Sequence, residues 1–241
     1  MIEAIRKVTQ AGILWSIAVG VLLLVWAQVF RFRQLWMLIG ISILANVLQP
    51  SYALFGGSRT KEDRGTFDQI MWTVYLSQVA ALVELVVKKP PSLPFDAVSW
   101  VALAAMIAGL ALRTWAVVIL GKFFTLNLQV QADQKIVEIG PYRVIRHPSY
   151  AGALLTFVAS CVLLRSWVAV ALASITLPIA FLRRIRHEER LLLEGFPEYA
   201  TYAARTGALI PRMFSLAPRG RKAALAAERV ALGRSEAGSG R

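Results

Sequence analysis

The chain has 241 residues, 57% of them hydrophobic and 17% charged, with 27 Lys and Arg against 14 Asp and Glu for a net charge of +13, and its mean hydropathy is +0.57. Soluble domains carry about 45–50% apolar and about 25% charged residues. The composition therefore excludes a disordered chain, a disulfide scaffold and an ordinary water-soluble enzyme, and it implies a polytopic membrane protein.

A transmembrane helix needs about 20 largely apolar residues, and six spans are expected. The first covers residues 10–30, which is too long for a signal peptide and lacks a small-residue cleavage site. The second covers 35–55, with Pro50 near its end, the third 69–87 and the fourth 97–120. A polar stretch, 121–148, separates these from one apolar block, 149–182, broken only by Arg165-Ser166. Each arm of that block reaches about 24 Å. This suits a tight helical hairpin whose two ends emerge on the same side. Pro178 is expected to bend the second arm. The expected fold is all-α: about six membrane helices, the last two a hairpin, followed by cytoplasmic C-terminal helices. Three regions result: membrane helices over 1–120, a catalytic region over 121–211, and a basic flexible tail over 212–241.

Orientation follows from the positive charges. With the N-terminus in the cytoplasm, only Arg31, Arg33, Lys88, Lys89 and Arg165 fall outside, and Arg113 lies within the fourth span. This placement accounts for the net charge without nucleic acid. The lone Cys161 lies in an apolar run and leaves no disulfide framework and no cysteine zinc site. No metal-ligand cluster is visible in the sequence.

Two segments carry chemistry. The first is Gly140-Pro141-Tyr142-Arg143-Val144-Ile145-Arg146-His147-Pro148-Ser149-Tyr150-Ala151-Gly152. Gly-Pro makes a turn, His-Pro disfavours helix at His147, and Pro148 suits the first turn of span five. Arginines, a histidine and tyrosines then converge just before a helix N-terminus, where N–H groups and the dipole favour anions. The second runs from Arg183 to Leu193 and continues the hairpin out of the bilayer. Glu188 lies one turn from Arg184 and can pair with it, while Glu189 points toward another face. Tyr199 and Tyr202 follow, one turn apart. Within the spans, Asn46, Gln49 and Gln78 either face a cavity or bond between helices.

The 140–152 segment resembles the G-P-Y-R-x-x-R-H-P-x-Y-x-G signature of the isoprenylcysteine carboxyl methyltransferase family, which is grouped with the phospholipid N-methyltransferases. The lead-in Gly121-Lys122-Phe123-Phe124-Thr125, the run 133–137, Glu188-Glu189-x-x-Leu192, Phe196-x-x-Tyr199-x-x-Tyr202 and Leu209-Ile210-Pro211 are similar to it as well. Ala208 departs from the basic residue that relatives often carry there.

The resemblance implies S-adenosylmethionine as methyl donor. It also implies carboxyl methylation of a lipid or isoprenoid-linked acceptor entering from the membrane. Cofactor contacts are expected from Tyr142, Arg143, Arg146, His147, Pro148, Tyr150, Glu188 and Glu189. Glu188 and Glu189 suit the donor's ammonium and sulfonium. Either Arg146 or helix N–H groups suit its carboxylate. Arg184 or Arg186 suits an acceptor carboxylate, with Glu188 as the third catalytic candidate, and Tyr199 and Tyr202 are substrate candidates. Two alternatives stand beside this. One is a phospholipid amine N-methyltransferase, in which a Glu or His takes a proton. The other is an NADPH-dependent sterol-type reductase, against which the paired carboxylates count. The expected location is a bacterial inner membrane, with both termini and the catalytic region cytoplasmic.

Overall fold

The computed structural model of the protein describes residues 20–21, 26–48, 65–124 and 136–212, the side chain of Lys122 excepted. Within them the helices in order are α1 (Arg33–Leu48), α2 (Thr66–Lys88), α3 (Ala97–Leu120), α4 (Pro148–Leu163), α5 (Trp167–Gly195) and α6 (Tyr199–Arg205). Short 3-10 turns lie at Ala27–Arg31, Gly121–Phe123 and Gly140–Arg143. Among the described residues the β-structure is one parallel bridge between Ile145 and Gly207. The chain is a helical integral membrane protein. Helices α2, α3 and α5 are long and apolar enough to cross a bilayer, while α1 and α4 are apolar but only 16 residues each. Most of the expected first span lies outside the described residues. So do Gln49 and Pro50, Thr125 and residues 133–135 of the lead-in segments, and the tail from 213 onward.

Local chemistry fixes the helix ends. The Asp96 carboxylate accepts from the N–H groups of Val98 (3.0 Å) and Ser99 (3.3 Å), an N-cap that starts α3 where its apolar run begins. Gly121, with φ at +52°, ends it. Pro148 occupies the first position of α4, where its missing N–H costs nothing. Helix α5 passes through Pro178 and runs 29 residues, about 43 Å. A hydrocarbon core is about 30 Å thick, so the last turns of α5 stand clear of it.

Helices α3 and α4 pack with their backbones in close approach. A Cβ on Gly109 would meet the Gly152 carbonyl oxygen at 2.6 Å, and one on Gly152 would meet the Gly109 oxygen at 2.5 Å. Only glycine at both positions lets the two backbones touch. Helix α2 packs along α5, and α4 along α5. The fully buried Leu35, Met106, Leu163, Leu164 and Leu177 fill the middle. Polar residues inside the spans find partners on a neighbouring helix, on a loop or on their own helix. Ser160 Oγ donates to Gln78 Oε1 at 3.0 Å, and Gln34 Nε2 donates to the Leu93 and Pro94 carbonyls. Asn46 donates back to Ser42 of its own helix. The outer surface exposes Trp72, Trp100, Val118, Val168 and Ile175, as a lipid-facing surface does.

Helices α4 and α5 are joined by Leu164-Arg165-Ser166 at one end of the bundle. There Ser166 Oγ donates to the Ala81 carbonyl (2.8 Å), Glu84 of α2 accepts from the N–H groups of Val168 and Ala169, and Arg165 pairs with Asp96. Glu84 also pairs with Lys88 one turn on. The start of α4 and the emerging part of α5 lie at the opposite end.

Candidate functional site

Gly140, with φ at +57°, turns the chain into the short Gly140–Arg143 helix, and a Cβ there would crowd Trp115 and Ile119 at 3.3 Å. The buried Tyr142 hydroxyl donates to the Ala116 carbonyl at 3.3 Å. The next residues gain partners from a distant segment. The N–H of Arg146 donates to the Gly207 carbonyl (2.8 Å) and that of His147 to Ala208 (3.0 Å), while Gly207 donates back to Val144 (3.3 Å). Ala208 thus supports the site loop through its backbone.

Glu189 is the hub. Its Oε1 accepts from Arg146 Nε at 2.6 Å and Tyr199 Oη at 3.4 Å, and lies 3.1 Å from His147 Nε2. Arg146 also donates to the carbonyls of Ala203 (3.0 Å) and Thr206. One carboxylate therefore binds the entrance of α4 to α5 and α6. The other ring nitrogen of His147 lies 3.9 Å from Glu188, so the imidazole sits between the two carboxylates. Tyr202 Oη donates to the Tyr142 carbonyl at 2.8 Å, and its ring meets that of Tyr199 edge-on.

A second line runs from Arg184 Nε to Tyr150 Oη (2.9 Å) and from that hydroxyl to Glu188 Oε2 (3.0 Å). Tyr150 thus bridges Arg184 and Glu188, the pair that helix spacing had suggested would meet directly. Arg184 is buried, donates to Thr66 Oγ1 at 3.1 Å and lies over the Phe67 ring. The rings of His147, Tyr150 and Phe181 stack in a column from the site toward the apolar interior. Arg113 of α3 donates to both the carbonyl (3.2 Å) and the hydroxyl (2.7 Å) of Ser149, fixing the first turn of α4 from below.

Burial would raise the Glu189 carboxyl, but hydrogen bonds from His147 and Arg146 outweigh it and hold the group down at about 2. Burial raises the Tyr199 phenol, and the Glu189 charge adds to that; burial pushes Tyr202 up to about 12. Both phenols are therefore hydrogen-bond donors at neutral pH. Each carboxylate keeps an uncommitted oxygen: Glu188 Oε1 and Glu189 Oε2 accept no hydrogen bond among the described residues. No side chain caps the first turn of α4.

The fold thus gathers Tyr142, Arg146, His147, Pro148, Tyr150, Arg184, Glu188, Glu189, Tyr199 and Tyr202. It leaves Arg143 and Arg186 exposed, away from the cluster. Of the two arginines suggested for an acceptor, Arg184 is the one inside it. Sequence reasoning passed over Arg113 and Thr66. An arginine within an apolar span was the available signal for the former, and nothing local marks the latter.

A bundle of membrane helices with a cluster of arginine, histidine and glutamate where α4 begins defines a polytopic protein with a polar site at one membrane face. Residues 100–194 match the model of the isoprenylcysteine carboxyl methyltransferase (ICMT) family, so the resemblance carried by the motifs extends through α3, α4 and α5. A probable protein-S-isoprenylcysteine O-methyltransferase of Oryza sativa subsp. indica is 33% identical over 117 residues, which are 47% of this chain and 61% of the rice protein. The uncharacterized protein YpbQ of Bacillus subtilis is 27% identical over 168 residues, covering 66% of this chain and 96% of YpbQ. The solved structure of the eukaryotic intramembrane Ras methyltransferase ICMT superposes with a TM-score of 0.56 at 21% identity, over 74% of this chain and 67% of that one, and shares the fold. The chain spans about three-fifths of the length of the rice relative.

Proposed function

We propose that the protein is an S-adenosylmethionine-dependent membrane methyltransferase that methylates the carboxylate of an isoprenylcysteine-type or other lipid-linked acceptor. The observation that carries this is the Glu188–Glu189 pair, each with an uncommitted oxygen, beside the uncapped N-terminus of α4. The residues fit the donor's charges: the spare carboxylate oxygens suit an ammonium and a sulfonium, and the Ser149 N–H at the start of α4 suits a carboxylate. Bound S-adenosylmethionine would supply a sulfonium-activated methyl group.

The protein's own groups do the rest. Glu189 is held by Arg146 and His147 and so stays ionised. His147, at the outer end of the ring column that Tyr150 and Phe181 continue, offers a flat face to an adenosine. Tyr199 holds Glu189, and Tyr202 secures Tyr142 beneath the loop. Arg184, anchored by Thr66 and Tyr150, is the cation for an acceptor carboxylate, which is already ionised at neutral pH and needs no general base. Positioning of this kind supplies about 7–11 kcal/mol of a displacement barrier.

The stacked rings of His147, Tyr150 and Phe181 lead inward from the site, which suits an acceptor with an apolar chain. We place the catalytic region over 121–211, with Arg113 of α3 supporting it. We also read six crossings, with α4 and α5 as a hairpin and the site on the cytoplasmic side, where a water-soluble donor enters.

Calorimetry of S-adenosylhomocysteine against detergent-purified protein tests the donor site, with NADPH alongside. Micromolar binding of the former alone is expected. Binding of NADPH alone, or of neither, overturns the reading. Transfer of labelled methyl from S-adenosylmethionine to S-farnesylcysteine, but not to phosphatidylethanolamine, tests the acceptor class.

A further inference from the structure

We propose that the outward face of α5, where the helix leaves the bilayer, binds the headgroups of anionic phospholipids. Arg183, Arg186, His187 and Arg190 fall within about a 100° arc at 100° per residue, and the three arginines are exposed. The same face, followed back into the bundle, carries the exposed Ile175, Ile179 and Leu182. A lipid-facing apolar stripe thus turns basic at the point where the helix passes from acyl chains to phosphates. Arg183 to Arg190 covers about 10 Å of helix, comparable to the depth of a headgroup layer. Arg183 is steadied by Gln69 Oε1 at 2.6 Å, and His187 Nδ1 bonds the Arg183 carbonyl at 2.9 Å.

Arg186 and Arg190 make no hydrogen bond or ion pair among the described residues. The first acid on this face is Glu194, a turn beyond Arg190. Opposite faces of the same turns hold Arg184, Glu188 and Glu189. The stripe is therefore separate from the candidate site but rigidly joined to it. Basic side chains at a membrane surface attract anionic lipids over about a Debye length. Three arginines on one face, continuous with lipid-facing residues, suit a phosphate-bearing lipid.

The test uses the full chain in phosphatidylcholine nanodiscs containing spin-labelled phosphatidylglycerol or spin-labelled phosphatidylcholine. The motionally restricted fraction of each is read by electron paramagnetic resonance. The protein is expected to retain phosphatidylglycerol severalfold over phosphatidylcholine, less so at high salt. Arg186→Gln with Arg190→Gln should remove most of that preference. Arg186→Lys with Arg190→Lys should keep it, and so should Lys89→Gln at the other end of α2. Equal retention of the two lipids by the unaltered protein overturns the proposal, as does a preference that survives the Gln pair or is lost in the Lys pair. No methyl donor or acceptor enters this measurement, so its outcome is independent of the proposed reaction.

Discussion

The two ends of the bundle treat their helix N-termini in opposite ways. At the α4–α5 turn, carboxylates fill the openings: Asp96 caps α3, and Glu84 reaches across from α2 to the first N–H groups of α5. Their charges are further matched by Arg165 and Lys88. At the other end, α4 starts at Pro148 with no side-chain cap, and two carboxylates stand nearby on α5, each with one oxygen uncommitted. The same residue types thus cap helices at one end and stand beside an uncapped helix start at the other. A carboxylate among arginines is not by itself a site; what distinguishes the two ends is whether the carboxylates occupy the helix N-termini.

The strongest way to break this contrast is to separate α3 from α4. Gly152→Ala places a methyl 2.5 Å from the Gly109 oxygen. It should cost about 3 kcal/mol in reversible unfolding in mixed micelles, and abolish S-adenosylhomocysteine binding because the entrance of α4 shifts. Next comes Glu189→Gln, which weakens the hub and should cost about 2 kcal/mol, with donor-analogue affinity falling at least about tenfold by calorimetry. Smaller is the pH effect of the same carboxylate. Its folded-state value of about 2 lies below the ordinary 4.5. Its stabilisation is therefore fully present above about pH 4.5 and is lost as pH falls toward 2. Unfolding measured down this range should show an acid limb that flattens in Glu189→Gln. Smallest is Glu84→Ala at the closed end, expected to cost about 1 kcal/mol as a lost cap while leaving analogue binding unchanged. A binding loss there equal to that of Glu189→Gln would erase the distinction between the ends.

Features written in local sequence were legible. The fourth span was expected over 97–120 and is α3 over Ala97–Leu120, because Asp96 and Gly121 mark its limits. Pro148 marked the start of α4. The gathering of Arg146, His147, Glu188 and Glu189 was expected only through the motif resemblance. The direct contact of Arg146 with Glu189 joins residues 43 apart, and no helical period reports that. Helix spacing suggested an Arg184–Glu188 pair, but Tyr150 enters from α4 and takes a hydrogen bond with each. Spacing along one helix cannot register a side chain arriving from another. Arg186 was as plausible as Arg184 in the sequence, and the packing of α2 and α4 against one face of α5 separates them. Arg113, placed by the sequence only within the fourth span, holds Ser149 at the start of α4.

The pairing of residues 144–147 with 207–208 bears on biosynthesis. Helices α1 to α5 precede residue 196 and can enter the membrane while the ribosome is still translating. The N–H groups of Arg146 and His147 meet their carbonyl partners only after residue 208 has emerged. The entrance of α4 is therefore completed by the last part of the described chain to be made, and a nascent protein stalled before that point would hold its helices without a finished site.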